Sequence, residues 1–372
     1  MMLKSISLVA LIGVTYWLGT IQPNSQHRDV SFPKFRLVSK TRQHLPLVVR
    51  AFEKLGFVED RNFDIDGAMS DVLNYDISWG FNYPNYDMYS TFLPHTRVNH
   101  IRGNSGFTRK GSLFSTFAAG VEGFGAQVFD FVPEHFLIPE DSVAFQSRLA
   151  NQTTSHPVNG TDPDYGTRWI VKSRNHGKIK LITGENFKNE IGPSEKQKGM
   201  MVSKYVEPLL VDKFKWDIGL YLFVSSVEPL RIYVHQNSLV RMCLEEYPVH
   251  GINASTSHKS YVVKNYSPPW EKPSLEKHYE GSFPDLDSQN TFNTIAMCKH
   301  IDSLNLPNWT CAKWWDAMKS ASVKLILQNL PTLRKFNRQT TGFRGTQFEL
   351  YRADFNTDAN GKPWLVEVNM SP

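Results

Sequence analysis

Apolar and polar residues alternate most regularly in two stretches. In Lys215-Trp216-Asp217-Ile218-Gly219-Leu220-Tyr221-Leu222-Phe223-Val224 the period is two. Ile218, Leu220, Leu222 and Val224 share one face and Asp217, Gly219 and Tyr221 the other, the pattern of a half-buried strand. The second stretch is the end of the chain. Residues 348–354 and 363–370 are apolar runs, and the turn formers of 356–362 lie between them, which predicts a β-hairpin with a longish loop. Strand alternation then points Glu367 and Asn369 one way and Val366 and Val368 the other, with Asp354 on the partner strand. Carboxylates beside a carboxamide are hard oxygen ligands. They suit Mg²⁺, which takes one or two carboxylates and leaves its other positions to water and phosphates. An amphipathic hairpin with a solvated polar face has the same pattern.

Weaker signals fill in the rest. Residues 43–59 read as a short helix stopped at Gly56 and followed by a strand, and 71–80 as a strand ending in a turn. Two prolines frame short strands within 128–139, and the Asn/Thr/Ser/Gly/Pro-rich stretch 150–166 reads as a surface loop. Arg168-Trp169-Ile170-Val171-Lys172 is a β-type run. The basic, glycine-containing turn after it suits either a phosphate cradle or a solvated hairpin. Residues 204–211 are extended. Strands at 229–234 and 239–242, linked by Gln236-Asn237-Ser238, follow, and Arg241 is a surface charge unless it faces the same cleft. Residues 252–288 are mostly irregular, and 314–330 form an amphipathic helix expected to end before Pro331. There is no internal repeat.

Composition narrows the class. A chain of 372 residues, 41% hydrophobic and 13% aromatic, is globular and long enough for two or three subdomains. The formal charge of +5 is a modest excess, compatible with an acidic partner, and no nucleic-acid partner is expected. Three cysteines, odd in number and without zinc-type spacing, argue against a disulfide scaffold. Residues 5–26 carry no charge, so 1–30 read as a membrane anchor or signal segment outside the fold, with an uncleaved anchor favoured. Lys and Arg are more numerous after this segment than before it, which favours a cytosolic catalytic domain. Sequons at Asn151, Asn159, Asn253, Asn265, Asn308 and Asn369 would matter only in a lumenal one.

Taken in order, these signals resemble the tubulin–tyrosine-ligase-like family from about residue 45 to the end. The landmarks are Trp79, Val98-Asn99-His100, Thr108-Arg109-Lys110, Phe129-Asp130-Phe131-Val132-Pro133, Trp169-Ile170-Val171-Lys172, Ser203-Lys204-Tyr205-Val206, Lys215-Trp216-Asp217, Pro229-Leu230-Arg231-Ile232-Tyr233 with Arg241, and Lys264-Asn265-Tyr266-Ser267. The ending Glu367-Val368-Asn369-Met370-Ser371-Pro372 is the most specific piece. The resemblance implies an α/β (α+β) fold of the ATP-grasp type, with an N-terminal subdomain at 31–104, a central one at 105–203 and a C-terminal one at 204–372. It implies ATP and Mg²⁺ as cofactors. Lys172, Lys204, Tyr205, Val206, Lys215, Asp217 and Asn265 would bind the nucleotide, Asp354, Glu367 and Asn369 the metal, and Arg241 with Lys172 would act on the reacting groups. The implied reaction joins a free amino acid, glutamate by preference, to glutamate side chains of tubulin tails through an acyl phosphate. Three departures stand out. Gly219 replaces an arginine expected to hold the amino acid's carboxylate, Gly177-Lys178-Ile179 is a reduced glycine loop, and the sequence stops at Pro372. They leave open a catalytically weak or inactive nucleotide-binding member acting as a membrane-tethered microtubule adaptor.

Overall fold

The computed structural model describes residues 32–38, 45–60, 75–81, 83, 94–151, 167–172, 179–182, 200–279, 293–340 and 345–371. Two sheets organise them. The larger contains β1 (Lys34–Val38), β2 (Val58–Glu59), β3 (Ile77–Gly80), β4 (Arg97–Asn99), β9 (Trp216–Val227), β10 (Leu230–Met242), β11 (Gln347–Thr357) and β12 (Pro363–Met370). Its order is β10-β9-β11-β4-β3-β1-β2, with β12 also paired to β11. The smaller, antiparallel sheet runs β5 (His135–Ile138), β8 (Met200–Lys204), β6 (Trp169–Lys172), β7 (Lys180–Ile182). Strands from 34–99 and 216–370 therefore share one sheet, and the smaller sheet comes from 135–204. The seam is β11, whose Gln347 and Phe348 pair in parallel with Val98 and Asn99 while the rest of the strand runs antiparallel to β9 and β12.

The period-two reading of β9 holds. Ile218, Leu220, Leu222 and Val224 are buried against Trp314, Met318 and Leu325 of the helix α8 (Cys311–Thr340), numbered after α1 (Pro46–Lys54), α2 (Ser105–Thr108), α3 (Lys110–Phe124), α4 (Ser142–Ala150), α5 (His258–Tyr261), α6 (Pro273–Tyr279) and α7 (Asn293–Ser303). On the opposite face the row Asp217, Gly219, Tyr221 ends at Phe223, which joins an apolar cluster with Phe35, Phe52, Trp79 and Phe348. Polar groups also cross between distant parts of the chain. The fully buried Glu349 accepts hydrogen bonds from Asn104 (2.8 Å) and Ser371 (3.2 Å) and lies 3.1 Å from His100 Nδ1. Asn99 donates to the Gly80 carbonyl (2.8 Å) and to Ser371 Oγ (3.1 Å). The Val98-Asn99-His100 landmark is thus fastened to the end of β12.

Several expectations are corrected. Pro331 lies inside α8, because burial of Leu325, Ile326 and Leu333 outweighs the lost backbone bond. Residues 230–242 form one strand, and the expected link at 236–238 is a register shift opposite β9. Val366 does not share Val368's side of β12. Asp354 pairs with Glu367 but Phe355 with Leu365, so Val366 is a bulged extra residue that turns toward the cleft while Leu365 and Val368 enter the core. Residues 128–132 are turns rather than a strand. The stretch 252–279 includes α5, α6 and a 3₁₀ turn (Pro269–Glu271), while α4 and α7 had no clear sequence signal. One disulfide does form. Cys298 on α7 meets Cys311 at the start of α8 with Cα atoms 4.6 Å apart, a pairing that spacing alone could not reveal, and Cys243 is free and buried. The N-terminal segment 1–30, the loop 152–166 and the basic turn 173–178 lie outside the described residues. Among the described residues no helix is long and apolar enough to cross a membrane.

Candidate active site

The polar face of β9–β12 looks across a cleft at β6 of the smaller sheet. Lys172 comes from β6, Lys215 and Asp217 from the start of β9, Arg241 from the end of β10, Asp354 from β11, Glu367 from β12, and Lys110 from the first turn of α3. Register places them side by side: Arg241 is opposite Asp217, Asp354 opposite Gly219 on one flank and opposite Glu367 on the other. Cross-strand neighbours on one face touch, so four strands deliver one row of charges.

Arg241 grips Asp217 with Nε (2.8 Å) and Nη2 (2.7 Å), and Nη2 also donates to Asp354 Oδ2 at 3.0 Å. Arg352 donates to both oxygens of Asp354, at 2.7 and 3.1 Å. Asn369 Nδ2 bridges Asp354 Oδ2 (3.0 Å) and Glu367 Oε1 (3.1 Å). Lys110 Nζ lies 3.8 Å from Glu367. Lys215 Nζ donates to the Tyr205 hydroxyl at 3.2 Å and sits 4.5 Å from the centre of its ring.

Burial pushes the Asp217 carboxyl up to about 7 and raises that of Asp354, against the pull of the arginines on both. Burial likewise opposes ionisation of Glu367, but Lys110, the Asn369 hydrogen bond and Lys172 hold it below the usual range. Lys172 is driven down to about 8 by burial, with Glu367 opposing, and burial also lowers Lys215. Closely spaced carboxylates that resist ionisation are stabilised as anions once a cation enters among them.

No group of three or more His, Cys, Asp or Glu side chains forms a metal cluster among the described residues. Two carboxylates and one carboxamide do converge, and a half-turn of the Asn369 amide would present its oxygen in place of its nitrogen. That all-oxygen set fits Mg²⁺ whose remaining positions go to water and phosphate.

The structure brings together Lys172, Lys215, Asp217, Arg241, Asp354, Glu367 and Asn369. Lys204 ends β8 and Tyr205 and Val206 follow it; none of them lines the cleft, and Tyr205 meets it through its hydroxyl, which accepts from Lys215. The Lys204 and Tyr205 amides donate to the Glu134 and Arg168 carbonyls, and the Tyr205 ring is packed with Leu181, Ile252 and Tyr261. Asn265 is exposed in a bend and does not line the cleft, although Tyr261 and Val262 nearby do. Lys110 and Arg352 were not among the sequence-derived candidates. Lys110 ends a recognised landmark, and Arg352 lies two residues before Asp354, so the alternation that exposes Asp354 to the cleft side exposes it too.

This geometry can be set beside known proteins. The profile of the tubulin-tyrosine ligase family matches residues 88–372. The chain belongs to the tubulin-tyrosine ligase family. Its two-sheet α/β architecture is of the ATP-grasp type expected of tubulin-tyrosine ligase relatives. The chain is 27% identical over 322 residues to tubulin polyglutamylase TTLL5 of Homo sapiens, covering 80% of this chain and 22% of that one. It is also 27% identical over 367 residues to the probable tubulin polyglutamylase ttll-15 of Caenorhabditis elegans, covering 95% and 62%. Against tubulin monoglutamylase TTLL4 of Mus musculus, identity is 27% over 284 residues, covering 75% and 22%. This member of the tubulin-tyrosine ligase family thus spans between about a fifth and three-fifths of the length of these relatives.

Proposed function

We propose that the chain is an ATP- and Mg²⁺-dependent carboxylate–amine ligase that adds glutamate to glutamate side chains of tubulin tails. The observation that carries this reading is the convergence of Asp354, Glu367 and Asn369 with Lys172, Lys215 and Arg241 on one cleft. The names of the relatives supply the acceptor and the amino acid. Bound Mg²⁺ would neutralise charge on the nucleotide's phosphates. Asp354, Glu367 and Asn369 would hold it. Lys172 and Lys215, desolvated and on opposite walls, would hold phosphate oxygens where a low dielectric strengthens the attraction. Arg241, tied to Asp217, would face the charge that develops when an amine attacks an activated carboxyl.

The lowered Lys172 gives a pH signature. Bound phosphate favours the ammonium form, whereas the free chain loses that proton above pH of about 8. Nucleotide binding is expected to take up a proton above pH 8, with affinity falling as pH rises, and to show no such uptake well below it. Calorimetry in buffers of different ionisation enthalpy reads the proton directly, and Lys172→Met should abolish the uptake.

The activity is tested by incubating the full chain with ATP, Mg²⁺, radiolabelled glutamate and microtubules, using Glu367→Gln as the blank. Label in tubulin that disappears with the variant supports the ligase. Absence of label with ATP still bound leaves the adaptor reading.

A second reading concerns compartment and acceptor. Disulfides persist mainly in oxidising compartments, and Cys298–Cys311 closes a loop that holds the exposed sequon Asn308-Trp309-Thr310. Asn253, also exposed, begins another. With residues 5–26 as an anchor, this favours the same ligation chemistry in a lumen, on an acidic acceptor other than tubulin. If so, the full chain made in secretory-competent cells should shift on glycosidase treatment, and Asn308→Gln should remove one increment. An unshifted chain with reducible, alkylatable Cys298 and Cys311 supports the cytosolic reading.

A further inference from the structure

Arg352 occupies space that the absence of a side chain at Gly219 leaves open. On β11 it is opposite Tyr221 of β9 and Asn369 of β12, one step beyond the pair Asp354 and Gly219. Its aliphatic stem crosses directly over Gly219. A Cβ built on that glycine would come within 2.6 Å of Arg352 Cδ, 2.9 Å of Cγ and 3.0 Å of Nε. No side chain at 219 can coexist with Arg352 in this position, so the bare spot on β9 and the guanidinium above it are one arrangement.

That guanidinium is placed to hold an anion. It already holds a carboxylate, since Nε and Nη2 meet the two oxygens of Asp354 in the forked geometry that arginine offers to carboxylates. Asp354 is oversubscribed, however, because Arg241 and Asn369 also donate to its Oδ2. Among the described residues, the cleft lining together with Arg352 beside Asp354 carries five cations (Lys110, Lys172, Lys215, Arg241 and Arg352) against three carboxylates, an excess that calls for anionic ligands. Three of these cations are lysines, which act as point charges toward phosphate, and Arg241 is committed bidentately to Asp217. Among the described residues, the carboxylate partner of the Arg352 fork is Asp354, the one that metal binding would draw away.

We propose that Arg352 binds the α-carboxylate of the incoming amino acid, supplying from β11 the cation that Gly219 withholds from β9. The inference rests on the ligase reading and names the substrate group that this residue holds. It removes the main reason for reading the chain as inactive.

The test compares the full-length wild type with Arg352→Gln, which keeps a hydrogen bond to Asp354 but loses the fork, and with the exchange Gly219→Arg/Arg352→Gly, which returns the cation to β9. Arg352→Gln is expected to raise KM for glutamate about 10–100-fold and to leave KM for ATP within about threefold, whereas 4-aminobutyrate, which lacks the α-carboxylate, should compete equally weakly against glutamate in the wild type and the variant. The exchange is expected to recover most of the lost glutamate affinity. An unchanged KM for glutamate overturns the proposal. So does a parallel loss for glutamate and 4-aminobutyrate with a raised Mg²⁺ requirement, which would make Arg352 a positioning residue for Asp354. If the wild type forms no amide, the ligase reading fails separately. Glutamate binding to the chain loaded with Mg²⁺ and a non-hydrolysable ATP analogue then decides: binding that weakens in Arg352→Gln upholds the assignment, and no binding by wild type ends it.

Discussion

Amide formation by the Glu367→Gln chain is expected to fall by about a thousand-fold, with the fold intact. The size follows from what the carboxylate does. A preorganised charge facing the reacting groups in a water-poor cleft is worth about 10²–10³ in rate when removed, and in the proposed ligase it is also one of two anionic ligands for the metal. The variant is isosteric, and Glu367 is a third exposed, so little packing is lost. Its amide can still meet Asn369, but it no longer offsets Lys110 and Lys172. Asp354→Asn should be equally inactive but also less stable. Asp354 is fully buried between Arg241 and Arg352, and removing its charge leaves both guanidiniums without their common counter-ion. Measuring initial rates together with melting temperature separates the two outcomes. Residual ligation near the wild-type level in Glu367→Gln would show that the metal is held elsewhere.

Arg168→Met is expected to cost about 3–5 kcal/mol of stability, the range for leaving one member of a buried ion pair without its partner. Arg168, only 2% exposed, precedes β6 and donates to Glu207 (3.0 Å) and to the Ile252 carbonyl (2.7 Å). Glu207, in turn, accepts from Tyr247 at 3.1 Å. The methionine variant leaves the Glu207 charge buried without the Arg168 guanidinium beside it. The double variant Arg168→Met/Glu207→Leu removes that charge as well, so it should recover much of the loss, with a remainder set by the Ile252 carbonyl, which loses the Arg168 donor. Chemical denaturation midpoints read both. Equal destabilisation by the single and double variants would refute the buried-charge account. Because this pair fastens the strand bearing Lys172 to the segment that follows β8, nucleotide affinity should fall in step with stability.

The parts of the molecule legible in the sequence are those where one buried face imposes a strict period. β9 and the β11–β12 hairpin were readable for that reason, and Asp217, Asp354, Glu367 and Asn369 came with them because they occupy the alternate positions. Arg241 was ambiguous until register placed it opposite Asp217. Lys110 stays hidden because it enters from a helix start, where no alternation points to a partner 257 residues away. The bulge at Val366 and the continuation of α8 through Pro331 are tertiary decisions, made by what Leu365, Val368 and Leu333 bury rather than by local preference. Gly219 was the most misleading single residue. Read alone it is a missing side chain, and only the strand next to it shows that the space is taken.

The contacts of Glu349 with His100, Asn104 and Ser371 give the N-terminal strands a say in chemistry they never touch. Asn369 is two residues from Ser371, so the buried clasp anchors the C-terminal end of the strand that carries the proposed metal ligands Glu367 and Asn369. Substitutions at Asn99, His100 or Asn104 would slacken that end and be scored in an activity screen as active-site lesions, although each lies outside the cleft. Inheritance of such a defect would track a hinge pin, not a reagent.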